Sequence, residues 1–546
     1  MTTAENPVAA KSRDLPPGMT EGKVGAFILG AFLSIALATI DQTIVSSATL
    51  PIVADLDPTR GIEQFAWLIT SYLLAATASQ PLYGKLSDTY GPKSSYLAAL
   101  SVFLVGSVLC AVAQNMTQLV IFRAVQGLGG GGLMSMAVIL LVALFPPKKR
   151  AAGSSVGGGL TALGIVAGSM IGGPVSTYSS WRWIFLVNVP VVLLIVALTL
   201  WSLRLPHERK RERLDIPGVL LVSTASCLLL LFAKYFSDPT ASASVRLLTG
   251  AGGGLLAIGF VIRQATAAEP LLPASLLRDP VFRVTAPLQF IAGFALFPMS
   301  AFVIVYLNVV RGVPTAATAL GLVPLAAGVI ASFAAWGRVI ARTGRCKTIL
   351  IVDTALGMAG VALLGLLPAD ANAVLVYASL VLIGVGTGGI AQIALFVTQI
   401  AAPPDRLGAA TTSARFVSTL GSAFGGAVFG AIITAQYAGN ISRGAGGEVN
   451  TEALVSQVNS LPAGEHQAVV AAFAPATSTV FLTSAVALVL ALVLTLVMRE
   501  VHVDTETDSE SNTESDTESN TESGAETESA SETVEADVPT AVEETT

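Results

Sequence analysis

Charge is what this chain lacks. Only 12% of its 546 residues are Asp, Glu, Lys or Arg, while 53% are hydrophobic. Soluble domains carry about 25% charged residues. That shortfall, with a mean hydropathy of +0.71, excludes an ordinary soluble domain. Cysteine is almost as scarce. Cys110, Cys227 and Cys346 lie in or beside apolar stretches with no CxxC spacing, which excludes a disulfide framework and a structural zinc site. No GK[ST] follows any glycine run and no catalytic triad is visible, so nucleotide hydrolysis and enzyme chemistry find no residues to carry them. No apolar h-region precedes the first long apolar run, so that run reads as a retained span rather than a signal peptide.

Basic residues are absent from the last 43 positions. Asp504 to Thr546 contain fifteen acids and neither Lys nor Arg. Without them, 21 acids face 30 basic residues, and the body of the chain is net +9 rather than the −6 of the whole. The Ser/Thr/Glu/Asp tail is expected to be unfolded and cytoplasmic.

What is present is a series of apolar runs near bilayer-spanning length. They fall at about 24–47, 64–83, 94–113, 118–145, 151–177, 183–203, 215–235, 246–264, 284–307, 316–340, 348–367, 373–397, 407–434 and 477–498. Fourteen spans are predicted, the glycine-rich 246–264 being the weakest. With a cytoplasmic N-terminus, 23 of the 30 basic residues, Arg406 and Arg415 among them, fall in cytoplasmic segments. Six fall outside and Arg123 lies within a span. The positive-inside rule then places both termini in the cytoplasm.

A weak repeat relates GKLSDTYGPK (Gly84–Lys93) to GRVIARTGRCK (Gly337–Lys347). The expected layout is a cytoplasmic segment 1–23, a six-helix half 24–203, an inserted pair 204–283, a second six-helix half 284–500 with an external loop near 435–476, and the tail 501–546. Two pseudo-equivalent halves are the build of an alternating-access transporter.

Four groups of residues carry candidate chemistry. Asp41, in ATIDQTIVSSATLP, is a carboxylate at bilayer depth, where such groups are costly and rarely idle. Arg123, in FRAVQGLGGGG, falls at comparable depth and is the expected partner, directly or through Gln126 or water. A purely structural buried pair is the alternative. The glycines 127 and 129–132, and Gly164, Gly168, Gly172, Gly173 and Pro174 further on, form small-residue helix faces suited to close packing or sliding. Gly84, Lys85, Asp88, Gly91 and Lys93 form a loop in which Asp88 can meet a base or a helix N-terminus. Asp353 is a second intramembrane acid, expected to couple, to snorkel, or to pair with Arg345 or Lys347. Phe290, Phe294 and Phe297 share one helix face. Trp67, Trp181, Trp183 and Trp201 read as interface anchors.

Together these segments resemble the fourteen-span drug:proton antiporter branch of the major facilitator superfamily. The match covers about residues 24–500 and runs in order: IDQTIVSSATLP, WLITSYLLAATASQPLYGKLSDTYGPK, FRAVQGLGGGG, the glycine-rich fifth span and WRWIFLVNVP. Two places depart from the pattern: Pro92 and Ser94, where a base is common, and Ser169, where proline is usual. The resemblance implies an all-α polytopic membrane fold and proton-driven export of amphipathic, drug-like or antibiotic-like compounds. It makes Asp41, Arg123 and Gln126 the coupling group, Gly84 to Lys93 the gate, and Gly164 to Pro174 the antiporter helix. It further implies a monomer in the cell membrane that uses the proton gradient and no cofactor, metal or nucleic acid. The rival readings are a dedicated exporter of one metabolite, lipid or siderophore, and a non-transporting sensor or scaffold.

Overall fold

Backbone amides in hydrocarbon must bond within their own segment, which favours helices. The computed structural model is all-helical, with no strand among its described residues. Those are residues 20–57, 61–144, 178–202, 215–237, 241–267, 276, 278–296, 298–313, 320–403, 406–441 and 463–501, with part of 156–175. The acidic tail, the first nineteen residues, Phe297, and Gly173 and Pro174 lie outside them.

In chain order the helices are α1 (Glu21–Ser47), α2 (Thr49–Leu56), α3 (Gly61–Tyr90), α4 (Pro92–Ala111), α5 (Met116–Leu144), α6 (Trp183–Leu186), α7 (Asn188–Ser202), α8 (Ile216–Ser237) and α9 (Ala243–Thr266). There follow α10 (Phe282–Leu296), α11 (Met299–Val305) with a π turn at Tyr306–Val310, α12 (Val323–Thr343), α13 (Cys346–Leu366), α14 (Ala373–Ala401), α15 (Leu407–Ile441) and α16 (Ala463–Val497). Ten helices among the described residues are long and apolar enough to cross a membrane, and two shorter apolar ones lie at Pro217–Phe232 and Phe282–Leu296. The glycine-rich 246–264 stretch is one of the ten: α9 is a full helix, with Arg263 bonded to Asp215 at 2.8 Å at the start of α8.

Buried side chains gather in separate cores. Phe27 to Ile195 and Ile44 to Phe185 pack around α1–α7, while Leu288 to Met498 pack around α10–α16. Glycine sets how closely helices approach. A methyl group at Gly127 or Gly131 would meet the α3 backbone at Tyr72 or Ala76, and one at Gly129 would meet the α4 backbone at Phe103. The same happens between α10 and α15 at Gly293, Gly421 and Gly425.

The turn from α3 to α4 explains one departure from the family pattern. Gly91 takes φ 92°, where an L side chain is strained, and Pro92 opens α4. Proline suits a first helical position because its missing N–H has no partner there. Ser94 donates to the Tyr90 and Gly91 carbonyls, so this serine closes the turn.

Trp181 is not an interface anchor. It is 3% exposed, and its indole donates to Asp55 at 2.9 Å, beside an Arg182–Asp55 bridge of 2.7 Å. Trp183 and Trp201 are exposed, as an anchor requires. The Trp181 bond, then Arg182, holds the Asp55 carboxyl below its usual range. A depressed acid contributes stability above its unfolded pKa, about 3.9, and loses it as pH falls through the folded value. Acid melts should therefore show a small loss below about pH 4 that Asp55→Asn abolishes; an unchanged acid limb would refute this.

A packing test follows from the glycines. Gly129→Val should cost about 1–3 kcal/mol through overpacking and lower the melting temperature in detergent. Gly254→Val, with nothing within 4 Å of its Cβ position, should leave the melt within error.

Candidate functional site

Asp41 lies about three-quarters along α1 and is 1% exposed. Its neighbours two residues either side, Thr39 and Thr43, turn to the opposite helix face and meet Gly164 and Gly168 of the fifth span. Thr43 also donates to the Gly164 carbonyl at 3.4 Å. One helix thus carries the acid on one face and the small-residue track on the other.

Around Asp41 the donors converge. Arg123 Nη1 lies 2.7 Å from Oδ2, while Gln126 Nε2 and Asn188 Nδ2 lie 2.8 and 2.9 Å from Oδ1. Arg123 Nη1 also donates to Gln126 Oε1 at 2.8 Å. Asn188 donates to Ser107 Oγ at 2.9 Å, and the Ser107 hydroxyl donates to the Phe185 carbonyl at 2.9 Å. Tyr72 lays its ring 4.3 Å from the guanidinium carbon, and Phe185 lies at 5.8 Å. Arg123 is 1% exposed and Gln126 fully buried. Among the described residues, the side chains bonded to Asp41 all donate to it.

The sequence placed Asp41, Arg123 and Gln126 together, and the structure brings them into direct contact. It missed Asn188, Ser107 and Tyr72. Asn188 had a signal: a lone amide opening α7 inside the apolar IFLVNVPVV. Ser107 and Tyr72 had none, since each sits in a span among similar residues.

The expected gating loop is mostly helix: Gly84, Lys85 and Asp88 lie in α3, Gly91 is the turn and Lys93 is in α4, and the α3 part meets α15. Gly84 packs against Thr412 and the Gly408 carbonyl, and Asp88 Oδ2 accepts the Ala409 N–H at 3.0 Å. Of the partners open to Asp88, a helix N-terminus is one it takes, and the positive end of α15 favours the carboxylate. Lys85 is buried, 8% exposed, and Lys93 is partly buried. Near the same end, Gly158 of the fifth span packs on the Phe333 ring of α12.

Asp353 neither snorkels nor pairs with Arg345 or Lys347. It is fully buried on α13, accepts the Trp336 indole N–H from α12, and faces Gly389 of α14. Its Oδ2 has no hydrogen-bond partner. Arg415 also needs correcting. It sits within the apolar Leu407–Ile433 stretch of α15, not in a loop. Phe290 and Phe294 of the aromatic stripe pack on Phe424 and Phe429 of α15, so they serve packing. No group of metal-ligating side chains occurs among the described residues.

Residues 31–426 match the family described as Major Facilitator Superfamily. The chain is 30% identical to an uncharacterised MFS-type transporter of Mycobacterium tuberculosis (strain ATCC 25618 / H37Rv) over 489 residues, covering 88% of this chain and 70% of that one. It is also 30% identical to the multidrug transporter protein MdtP of Bacillus subtilis (strain 168), covering 81% and 80%. Among solved structures, the proton:xylose symporter XylE aligns with a TM-score of 0.57 at 14% identity, covering 90% of this chain and 99% of that one. That likeness concerns the fold alone.

The part played by Asn188 is measurable. Asn188→Ala removes two bonds from a buried network and should cost about 1–3 kcal/mol, read as a lower melting temperature. Asn188→Asp should be worse, because it sets a second carboxylate against Asp41. Equal melts for wild type and both variants would show that the amide holds nothing.

Proposed function

The chain belongs to the major facilitator superfamily, a family of membrane transporters, and from that premise we propose that it exports small amphipathic, drug-like compounds in exchange for protons. The observation that carries this is the Asp41 site. An acid at membrane depth is bonded to one permanent cation and two amides, on a helix whose other face rides on a glycine track. Arginine stays charged at any accessible pH, so the acid is the member of the pair that can change charge. In this reading a proton arriving at Asp41 cancels its charge and loosens Arg123, Gln126 and Asn188 together. Substrate leaves on that half-cycle. When Asp41 gives the proton to the cytoplasm, the pair closes again. Relatives named as efflux pumps support the export direction, and one named as a multidrug transporter supports the substrate class.

In the same reading the membrane is the cell membrane, both termini are cytoplasmic, and there are fourteen spans, α8 and α9 being the inserted pair. The contact of Asp88 with α15 then closes the cytoplasmic mouth, leaving the substrate path to the outside. The protein works as a monomer and draws on the proton gradient, with no cofactor.

The test is dye efflux against an imposed pH gradient in vesicles of matched protein content, with and without an uncoupler. Asp41→Asn should abolish uphill transport. Asp41→Glu should keep part of it with a shifted pH profile, because a carboxylate survives at a different reach. Arg123→Lys should lose most of it, since lysine lacks the planar fork. Wild-type uphill rates in Asp41→Asn would remove Asp41 as the proton carrier and pass that part to Asp353.

A further inference from the structure

Arg415 is a partly buried cation with no counter-ion among the described residues. It lies about two turns into α15, and its Nε is buried without a hydrogen-bond partner. Across from it, on α3, Gln80 Oε1 is likewise buried without a partner. The register of the two helices sets these groups opposite one another. Gly84 meets Thr412, and Asp88 meets Ala409, so the helices run antiparallel. Gln80 precedes Gly84 by four residues and shares its face, while Arg415 follows Thr412 by three and shares that one. The two face each other about one turn, ~6 Å, beyond the contact that closes the bundle.

The other described acids of this region are already engaged. Asp88 is bonded to Ala409 N–H, Asp41 to Arg123, Asp353 to Trp336 of α12, and Asp215, at the start of α8, to Arg263 through Oδ1, its Oδ2 being unpartnered. A buried arginine cannot shed its charge and needs an anion. Beside it, Gln80 Oε1 needs a donor.

We propose that Arg415 and Gln80 form a binding site, at the closed end of the path between the halves, for an organic anion bearing a hydrogen-bond donor near its carboxylate or sulfonate. Arg415 holds the anion through its planar fork, and Gln80 accepts the neighbouring N–H or O–H. Because the two groups stand on opposite halves, the ligand bridges them. When the halves part at this end, the site splits and the ligand loses one of its partners. The inference rests on the transporter reading and names a substrate class for it.

Dansylglycine tests it, having a carboxylate beside a sulfonamide N–H; its methyl ester is the uncharged control. Binding is read by dansyl fluorescence on the full chain in nanodiscs, without a pH gradient. The acid should bind at least about tenfold more tightly than the ester, the worth of one charge-assisted bond. Arg415→Gln should erase that preference, Arg415→Lys should keep part of it, and Gln80→Leu should weaken the acid severalfold. An ester that binds as well as the acid to wild type, or no binding of either, would overturn the site, as would a preference that survives in Arg415→Gln. Should Arg415→Gln fail to fold, the acid–ester comparison in wild type and in Gln80→Leu still decides. Uphill ethidium efflux by wild type, measured in parallel, separates this outcome from failure of proton-driven export itself.

Discussion

One charge dictates much of the first half: the guanidinium of Arg123, nearly wholly removed from solvent at membrane depth. Burying an ion costs several kcal/mol even after the protein relaxes, and arginine cannot escape by losing its proton. The surrounding residues answer that cost. Asp41 supplies the opposite charge, Gln126 spans both, Asn188 satisfies the far carboxylate oxygen, and the Tyr72 ring covers the guanidinium face. Four helices, α1, α3, α5 and α7, are thereby tied to one point. The glycines after Arg123 let this happen, because α5 touches the backbones of α3 and α4 where any side chain would hold them apart.

Much of this was legible in the sequence because the signals are rare. In a chain with 12% charged residues, an Asp and an Arg inside apolar runs stand out, and their equal depth says they should meet. The helical positions were legible for the same reason, since hydropathy over a bilayer length has few competing explanations. Ser107 and Tyr72 could not be read, because a span holds many hydroxyls and only the tertiary arrangement selects one. Trp181 misled because a tryptophan near a span end is usually an anchor; here Asp55 captured the indole. Arg415 misled because counting bases by segment assumes that a charge near a span end reaches water, and this one points along a face shared with the other half.

The halves handle charge in opposite ways. In the first, acid and base neutralise each other within one network. In the second, Asp353 and Arg415 are held apart on α13 and α15, the acid bonded to an indole and the base with its Nε unpartnered among the described residues. Duplicated halves that kept the same function would be expected to keep the same pairing. The weak sequence repeat runs through the ends of α3 and α12 into turns where Gly91 and Gly344 both take positive φ, and it does not extend to the buried charges.

That loss bears on how two chemistries fit in one membrane protein. A charge pair closed within one half responds to a proton, because only protonation changes its balance. A charge left open at the boundary responds to whatever anion crosses that boundary. On the proposed reading, separating them would keep a substrate anion from competing with Asp41 for Arg123. The link between them is mechanical: α3 carries Tyr72 at the first site, then Gln80, Gly84 and Asp88 at the seam with α15. Pro81 lies inside the continuous helix α3, between Tyr72 and Asp88. A proline inside a helix removes one backbone bond and is a recognised cause of bending, so the segment joining the two sites is also one built to flex.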